Sequence, residues 1–78
     1  MDIFAKRLKE IRVENELTQK ELADKLHIHP TNITNWKNGD NLPSVDVLFS
    51  LCMLLEVSAD YLLGLEDETG KKLYETDV

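Results

Sequence analysis

The sequence predicts an all-α domain built from five short helices. Apolar residues recur at spacings of three and four, Ser or Thr precedes three of the segments with these spacings, and glycines follow two of them. No segment shows the apolar–polar alternation of a convincing β-strand. With 78 residues, 42% hydrophobic and 31% charged, the chain has the length and composition of one small globular domain.

The first helix is predicted over about residues 2–15. Phe4, Leu8 and Ile11 recur at helical spacing and form a single apolar stripe. Lys, Arg and Glu fill most positions between them, and we expect the basic side chains to form mainly a solvated face. The segment therefore has the pattern of a helix that packs one side on a core.

The second helix is predicted over residues 19–26. Thr18 is a suitable N-cap, and Glu21 three residues later completes a capping box, in which each side chain accepts the other's backbone N–H. A turn over residues 27–29 follows. Here His27 must either adopt an uncommon positive φ or impose a different turn, and histidine tolerates positive φ better than most residues.

The third helix is predicted from Pro30 to Asn38. Proline suits the first helical position, where its missing N–H has no helical partner to lose. Ile33 and Trp36 are expected to face the core, and Gly39 ends the helix because glycine readily adopts the left-handed conformation.

A fourth and a fifth helix complete the prediction. Ser44 is a plausible N-cap for a helix over about residues 45–56, and Ser58 for a shorter one over residues 59–63. Residues 66–78 lack a helical apolar period and have little to bury. We therefore expect a domain over residues 1–65 followed by an acidic C-terminal tail.

The fourth helix carries more apolar residues than a core stripe needs. Val45, Phe49 and Met53 form a second stripe at i, i+4 and i+8. A monomer of this size should not expose so much apolar surface, so the stripe implies a partner, with a homodimer as the first choice. The alternative is that Leu73 and Tyr74 fold back and cover it.

The net charge of −6 is unevenly distributed. Residues 1–40 hold seven basic and seven acidic side chains, so all six net negative charges lie in residues 41–78. Contact of the first half with DNA is therefore not forbidden. Long-range attraction to DNA should nevertheless be weak, because steering depends on the field of the whole molecule.

Several classes of protein are disfavoured. No apolar run approaches the roughly 18 residues of a membrane span, and the start of the chain lacks the apolar region of a signal peptide. The single Cys52 excludes an intrachain disulfide and a cysteine-based zinc cluster, and the pair His27 and His29 is a poor metal site. With no nucleophile–base pair or phosphate loop, we expect a cytoplasmic protein that is not an enzyme and needs no cofactor or metal.

The sequence from Leu8 to Leu65 resembles the Cro/repressor-type, or XRE-family, helix-turn-helix domain of phage repressors and bacterial regulators. The matching residues are Leu8, Ile11, Arg12, Leu17, Thr18, Gln19, Glu21, Leu22, Ala23, Leu26, Ile28, Ile33, Trp36, Asn38, Gly39, Pro43, Leu48, Leu51, Leu55, Val57, Ser58, Asp60, Leu62, Leu63 and Gly64. The resemblance implies a lambda-repressor-like fold and a sequence-specific transcriptional regulator, with repression favoured. It also implies a homodimer on a pseudo-palindromic operator in double-stranded DNA, with the third helix in the major groove.

The resemblance, the charge of Lys37 and the second apolar stripe of the fourth helix together predict three sets of site residues. The base-contacting set is Pro30, Thr31, Asn32, Thr34 and Asn35. The phosphate-contacting set is Thr18, Gln19, His29, Lys37, Asn38 and Asn41. The dimer-interface set is Val45, Phe49, Met53, Tyr61 and Leu65. Because Asn pairs with adenine and the Thr methyl packs on thymine, we expect half-sites rich in A·T pairs.

One position departs from the family pattern. The arginine that matches Arg12 often pairs with a glutamate at the position held here by Lys37. Arg12 then either finds another carboxylate, such as Glu16, or points with Lys37 toward DNA phosphate. The second option would add positive charge to the DNA-facing side.

A protein-interaction module, such as an antitoxin or an adaptor with the same fold, is the alternative function. The acidic charge and the second apolar stripe of the fourth helix both favour it. We expect no sensor domain in a chain of this length, so that regulation would come through concentration-dependent dimerisation or a regulatory protein partner.

Overall fold

A computed structural model describes residues 1–75 and contains five α-helices, which confirms the predicted all-α fold. The helices are α1 (Asp2–Glu14), α2 (Gln19–Leu26), α3 (Pro30–Asn38), α4 (Val45–Leu55) and α5 (Ala59–Leu63). The last three residues of the predicted acidic tail lie outside the described residues. Within residues 1–75, no helix has the length and apolar character needed to span a bilayer.

One apolar core joins the five helices. Its buried members are Phe4, Leu8, Leu22, Ala23, Ile33, Trp36, Leu51, Leu55 and Leu62. The rings of Phe4 and Trp36 meet edge to face, with centroids 6.1 Å apart, a favoured arrangement of aromatic pairs. Because Trp36 belongs to α3 and Phe4 to α1, this contact holds the third helix against the first.

The predicted N-caps determine where three helices begin. The backbone N–H of Glu21 donates to Thr18 Oγ1 over 3.1 Å, and the N–H of Thr18 donates to Glu21 Oε1 over 3.0 Å. These hydrogen bonds from Thr18 hold the pKa of Glu21 below its ordinary value. Ser44 caps α4 and Ser58 caps α5 in the same way, each accepting the N–H three residues later.

Several helices end on a residue in the left-handed conformation. Gly39 and Gly64, both with φ of 80°, follow α3 and α5. His27 follows α2 with φ of 58°, so it adopts the positive φ that was one of its two predicted options. Glu56, with φ of 54°, follows α4, which ends at residue 55, one residue before the predicted end. A side chain in this region is strained by roughly 1–2 kcal/mol, which glycine avoids.

Arg7 is buried between the two ends of the chain, and its side chain is only 8% exposed. Its Nη1 donates to the carbonyl oxygen of Tyr61 over 2.7 Å and also to that of Glu66. The guanidinium lies 4.1 Å from the centroid of the Tyr61 ring, in cation–π geometry. The expectation that the basic residues of α1 are mainly solvated is therefore wrong for Arg7.

Residues 66–75 fold back on α5. Lys72 forms ion pairs with Asp60, over 3.1 Å, and with Glu66, and the Tyr74 hydroxyl donates to Asp60 over 2.9 Å. The backbone N–H of Leu73 donates to the carbonyl oxygen of Leu65, just after α5. This part of the tail is thus attached to the domain through polar contacts, although it buries little apolar surface.

Candidate nucleic-acid interface

The side of α3 that faces away from the core carries only small polar residues. At about 100° per residue, Thr31, Thr34 and Asn35 lie on one face, opposite the buried Ile33 and Trp36. The two threonines are exposed and Asn35 is half-buried. This face has the hydrogen-bonding groups that can contact base edges in a major groove.

Asn32 and Asn35, the two asparagines predicted to contact bases, differ in whether their side chains already form a hydrogen bond. Asn32 lies at the edge of the face, half-buried, and its Nδ2 donates to the carbonyl of His29 over 3.2 Å. Within residues 1–75 the side chain of Asn35 forms no hydrogen bond, so both its donor and its acceptor remain available. Asn35 is therefore better prepared than Asn32 to form a bidentate contact with adenine.

His29 caps the third helix, a role not predicted from the sequence. Its Nδ1 accepts the backbone N–H of Thr31 over 3.1 Å, ahead of Pro30 at the first helical position. In the neutral ring the proton must then lie on Nε2, which becomes a donor on an exposed side chain. That geometry suits a contact with phosphate oxygen, the role expected from the sequence.

Several of the predicted phosphate contacts lie at or next to helix termini. Gln19 begins α2 directly after the Thr18 cap, where free N–H groups and the positive end of the helix dipole favour an anion. Asn38 ends α3, and Asn41 follows in the loop; both are exposed. Gln19 lies beside α3, since it lines a cavity together with Ile33, Trp36 and Lys37.

Arg12 does not pair with Glu16. Its Nη1 donates instead to the carbonyl of Leu17 over 2.6 Å, and Glu16 forms no ion pair with any residue in the described range. Arg12 and Lys37 line one cavity together with Gln19, at the start of α2. The hypothesis of an Arg12–Glu16 pair is therefore wrong, and the two cations share one side of the molecule.

A separate apolar surface lies on α4. Val45 is 83% exposed, and Phe49 and Met53 are each 67% exposed. Leu73 and Tyr74 are themselves exposed and lie against the end of α5, so the alternative in which they cover this stripe is wrong.

The two remaining predicted interface residues differ from each other. Leu65 is 40% exposed. Tyr61 is engaged within the chain, with its ring against Arg7 and its hydroxyl 3.4 Å from Glu10. Tyr61 thus has less surface to offer a second subunit than the α4 residues have.

The residues described contain no cluster of three or more His, Cys, Asp or Glu that could hold a metal. Cys52 is half-buried, and desolvation raises the pKa of its thiol. A raised pKa disfavours the thiolate, the nucleophilic form. Its surroundings are therefore those of a packed apolar residue.

Comparison with known proteins assigns the fold and the family. Residues 8–62 match the family model described as Helix-turn-helix. The restriction–modification controller protein C.Esp1396I superposes with a TM-score of 0.66 at 25% identity, over 81% of this chain and 80% of that one. The clp gene regulator ClgR from Corynebacterium glutamicum gives a TM-score of 0.70 at 24% identity, over 80% of this chain and 66% of that one, and supports the fold.

A sequence relative makes the family explicit. The HTH-type transcriptional regulator ImmR of Bacillus subtilis is 48% identical over 75 residues, which cover 96% of this chain. The match spans only 58% of the length of ImmR. Both the family model and this relative match the helices described above, from α1 to α5. The chain therefore belongs to the XRE-type helix-turn-helix family of transcriptional regulators.

Proposed function

We propose that the protein binds a pseudo-palindromic operator in double-stranded DNA as a homodimer and represses transcription. The observation that carries the proposal is the polar face of α3 formed by Thr31, Thr34 and Asn35, which points away from the core. In this arrangement α3 enters the major groove. The start of α2 and the Asn38–Asn41 segment contact the backbone on either side.

Specificity then comes from neutral side chains. Asn35 contacts adenine through both amide atoms, and the methyl groups of Thr31 and Thr34 pack on thymine. Asn32 contacts a base through its second N–H, and Pro30 contacts a base from the first turn of α3. No basic side chain on this face competes for guanine, so the half-site is rich in A·T pairs.

Dimerisation supplies the second half-site. The stripe Val45–Phe49–Met53 of α4 pairs with its copy across a two-fold axis, with Leu65 beside it and Tyr61 contributing least. A shared two-fold axis requires a pseudo-palindromic operator with its half-sites about one helical turn, roughly 34 Å, apart. Because a −6 chain is not drawn to DNA by its net charge, the second half-site also compensates for weak steering.

Selection of bound sequences from a random duplex pool tests this proposal. We expect an A·T-rich inverted repeat with centres about 10 base pairs apart. Half-sites dominated by guanine would contradict the assigned base contacts, and a single half-site would contradict the dimer. Repression is tested separately, by placing the selected sequence over a reporter promoter and measuring expression with and without the protein.

The second candidate function is a protein-interaction module, such as an antitoxin or an adaptor. The exposed apolar surface of α4 is the observation that favours it, because a partner protein could cover that surface instead of a second copy. Binding to random duplex DNA at increasing salt separates the two candidates. A DNA-binding protein loses affinity steeply as salt rises, whereas an interaction module shows little affinity at any concentration.

A further inference from the structure

A cavity of about 170 Å³ lies between α1, the start of α2 and α3. The buried residues that line it, Leu8, Ile33 and Trp36, form an apolar floor, with half-buried Ala5 beside them. Apolar cavities of about 150 Å³ in protein interiors accept a benzene ring. The cavity is therefore large enough for one aromatic ring, and its apolar floor suits one chemically.

The edge of the same cavity is cationic. Lys9 and Lys37 are exposed, and Arg12 is half-buried. Arg12 is held by its bond to the Leu17 carbonyl, and its other N–H groups stay available, since a guanidinium has five donors. Among residues 1–75, no carboxylate forms an ion pair with any of these three cations.

An apolar floor under an uncompensated cationic edge matches an amphipathic anion. We propose that this cavity binds a small aromatic carboxylate, in competition with the DNA backbone. The ring lies on Leu8, Ile33 and Trp36, and the carboxylate accepts hydrogen bonds from Arg12 and Lys37. A glutamate at position 37 would neutralise Arg12 and repel such a ligand, so Lys37 is the residue that makes the site possible.

The position of the cavity gives its occupant a consequence. Gln19 and Lys37 line it and are also proposed phosphate contacts. A bound carboxylate would therefore place negative charge where DNA phosphate must approach, and DNA affinity would fall. This consequence rests on the proposed function, whereas the binding of the ligand itself does not.

Trp36 is the sole tryptophan, so its fluorescence reports on the cavity directly. Titration of the 78-residue chain with sodium benzoate, at constant ionic strength, should give a saturable change with a Kd on the order of 1 mM, ordinary for so small a ligand. Lys37→Glu should weaken binding at least about tenfold, the effect of losing one charge contact. Lys25→Glu makes the same change of charge outside the cavity and should leave Kd unchanged.

Ala5→Met is a second variant, which fills the cavity without a change of charge and should also abolish the response. Far-ultraviolet circular dichroism confirms that each variant is folded. Three results would overturn the site: benzamide binding as tightly as benzoate, inorganic phosphate producing the same response, or both cavity variants binding like the wild type. The titration needs no DNA, so it fails independently of the proposed function. An operator affinity unchanged at saturating benzoate would overturn the competition.

Discussion

The exposed faces of α3 and α4 differ in chemistry although both helices pack on the same core. The face of α3 presents Thr31, Thr34 and Asn35, whereas the face of α4 presents Phe49 and Met53. Hydroxyl and amide groups lose little when they exchange water for base edges, but exposed aromatic and thioether groups gain from leaving water. The molecule therefore separates a surface for a polar ligand from a surface for an apolar one.

Charge follows the same division. Residues 1–40, which contain α3, are neutral overall, while residues 41–78 carry the entire −6. Net negative charge in residues 41–78 disfavours their approach to DNA and leaves residues 1–40, with α3, as the part of the chain that can approach it. We infer that orientation on DNA depends on where the negative charge lies, as well as on the few cations near α3.

The largest effect is expected from Phe49→Glu. A buried carboxylate at the centre of the proposed interface should dissociate the dimer and lower operator affinity by about 100-fold or more, since one half-site must then bind alone. The dissociated monomer should remain folded, because Phe49 is 67% exposed in the single chain. Sedimentation and operator titration measure the two effects. Ser50→Glu, at an exposed position of the same helix, is the control, and a dimeric Phe49→Glu protein would reject this interface.

Asn35→Ala tests the polar face of α3. Loss of a bidentate adenine contact should cost about 1–3 kcal/mol on the operator and leave affinity for random DNA unchanged. Asn32→Ala should cost less specificity, because the Asn32 amide already donates to the His29 carbonyl. Titrations of both variants against operator and random duplexes provide the comparison. An equal loss on random DNA would show that Asn35 does not read a base.

Lys37→Ala should weaken binding to all DNA sequences alike. Removal of one phosphate contact reduces the slope of log affinity against log salt by about 0.9. Lys25→Ala removes a lysine from the last turn of α2 and should leave the slope intact. Titrations at several salt concentrations measure the slope. If both variants keep the wild-type slope, Lys37 does not contact phosphate.

Acid should loosen residues 66–75 from α5. Hydrogen bonds from Tyr74 and Lys72 lower the pKa of Asp60, and those from Lys72 and Ser58 lower the pKa of Glu66. A carboxyl group whose pKa is lower in the folded state stabilises the fold at pH values above its unfolded pKa, about 4. This stabilisation is lost as the pH falls through the pKa of the folded state. Urea denaturation at about pH 5 and pH 3 should show a fall in unfolding free energy that Lys72→Met reduces. An undiminished fall in this variant would exclude the Lys72 ion pairs as its source.

His27→Gly should give the smallest effect, and a favourable one. His27 ends α2 with φ of 58° in the turn that orients α3, and relief of this strain should stabilise the fold by about 0.5–1 kcal/mol. Lys25→Gly, inside α2, should destabilise the fold by about 1 kcal/mol. It is the control, because glycine should have the opposite effect at a position with ordinary helical geometry. Thermal unfolding measures both. A destabilised His27→Gly protein would show that the imidazole contributes more than its backbone strain costs.

The sequence predicts helix boundaries well because they depend on local chemistry. Thr18, Ser44 and Ser58 cap the helices they were predicted to cap, since an N-cap acts on an N–H two or three residues away. His29 was missed because histidine is an unusual cap. Its role could have been suspected from its place directly before Pro30, at the first position of the helix.

Contacts between distant parts of the chain could not be read in the same way. Arg7 has the sequence surroundings of a solvated residue, and its burial depends on carbonyls 54 and 59 residues away. The attachment of Lys72 to Asp60 likewise depends on how the chain turns after α5. In the candidate site, the polar face of α3 followed from helical spacing, whereas the cavity shared by Arg12 and Lys37 required the packing of three segments.

The buried Arg7 also has a consequence for the order in which this domain is completed during its synthesis. The guanidinium is synthesised before its two acceptors, which belong to Tyr61 and Glu66. Until the ribosome has released the chain beyond Glu66, packing α1 on the core leaves this cation without its carbonyls, which is costly for a buried charge. We therefore expect the final packing of α1 to wait until α5 and the following turn have emerged.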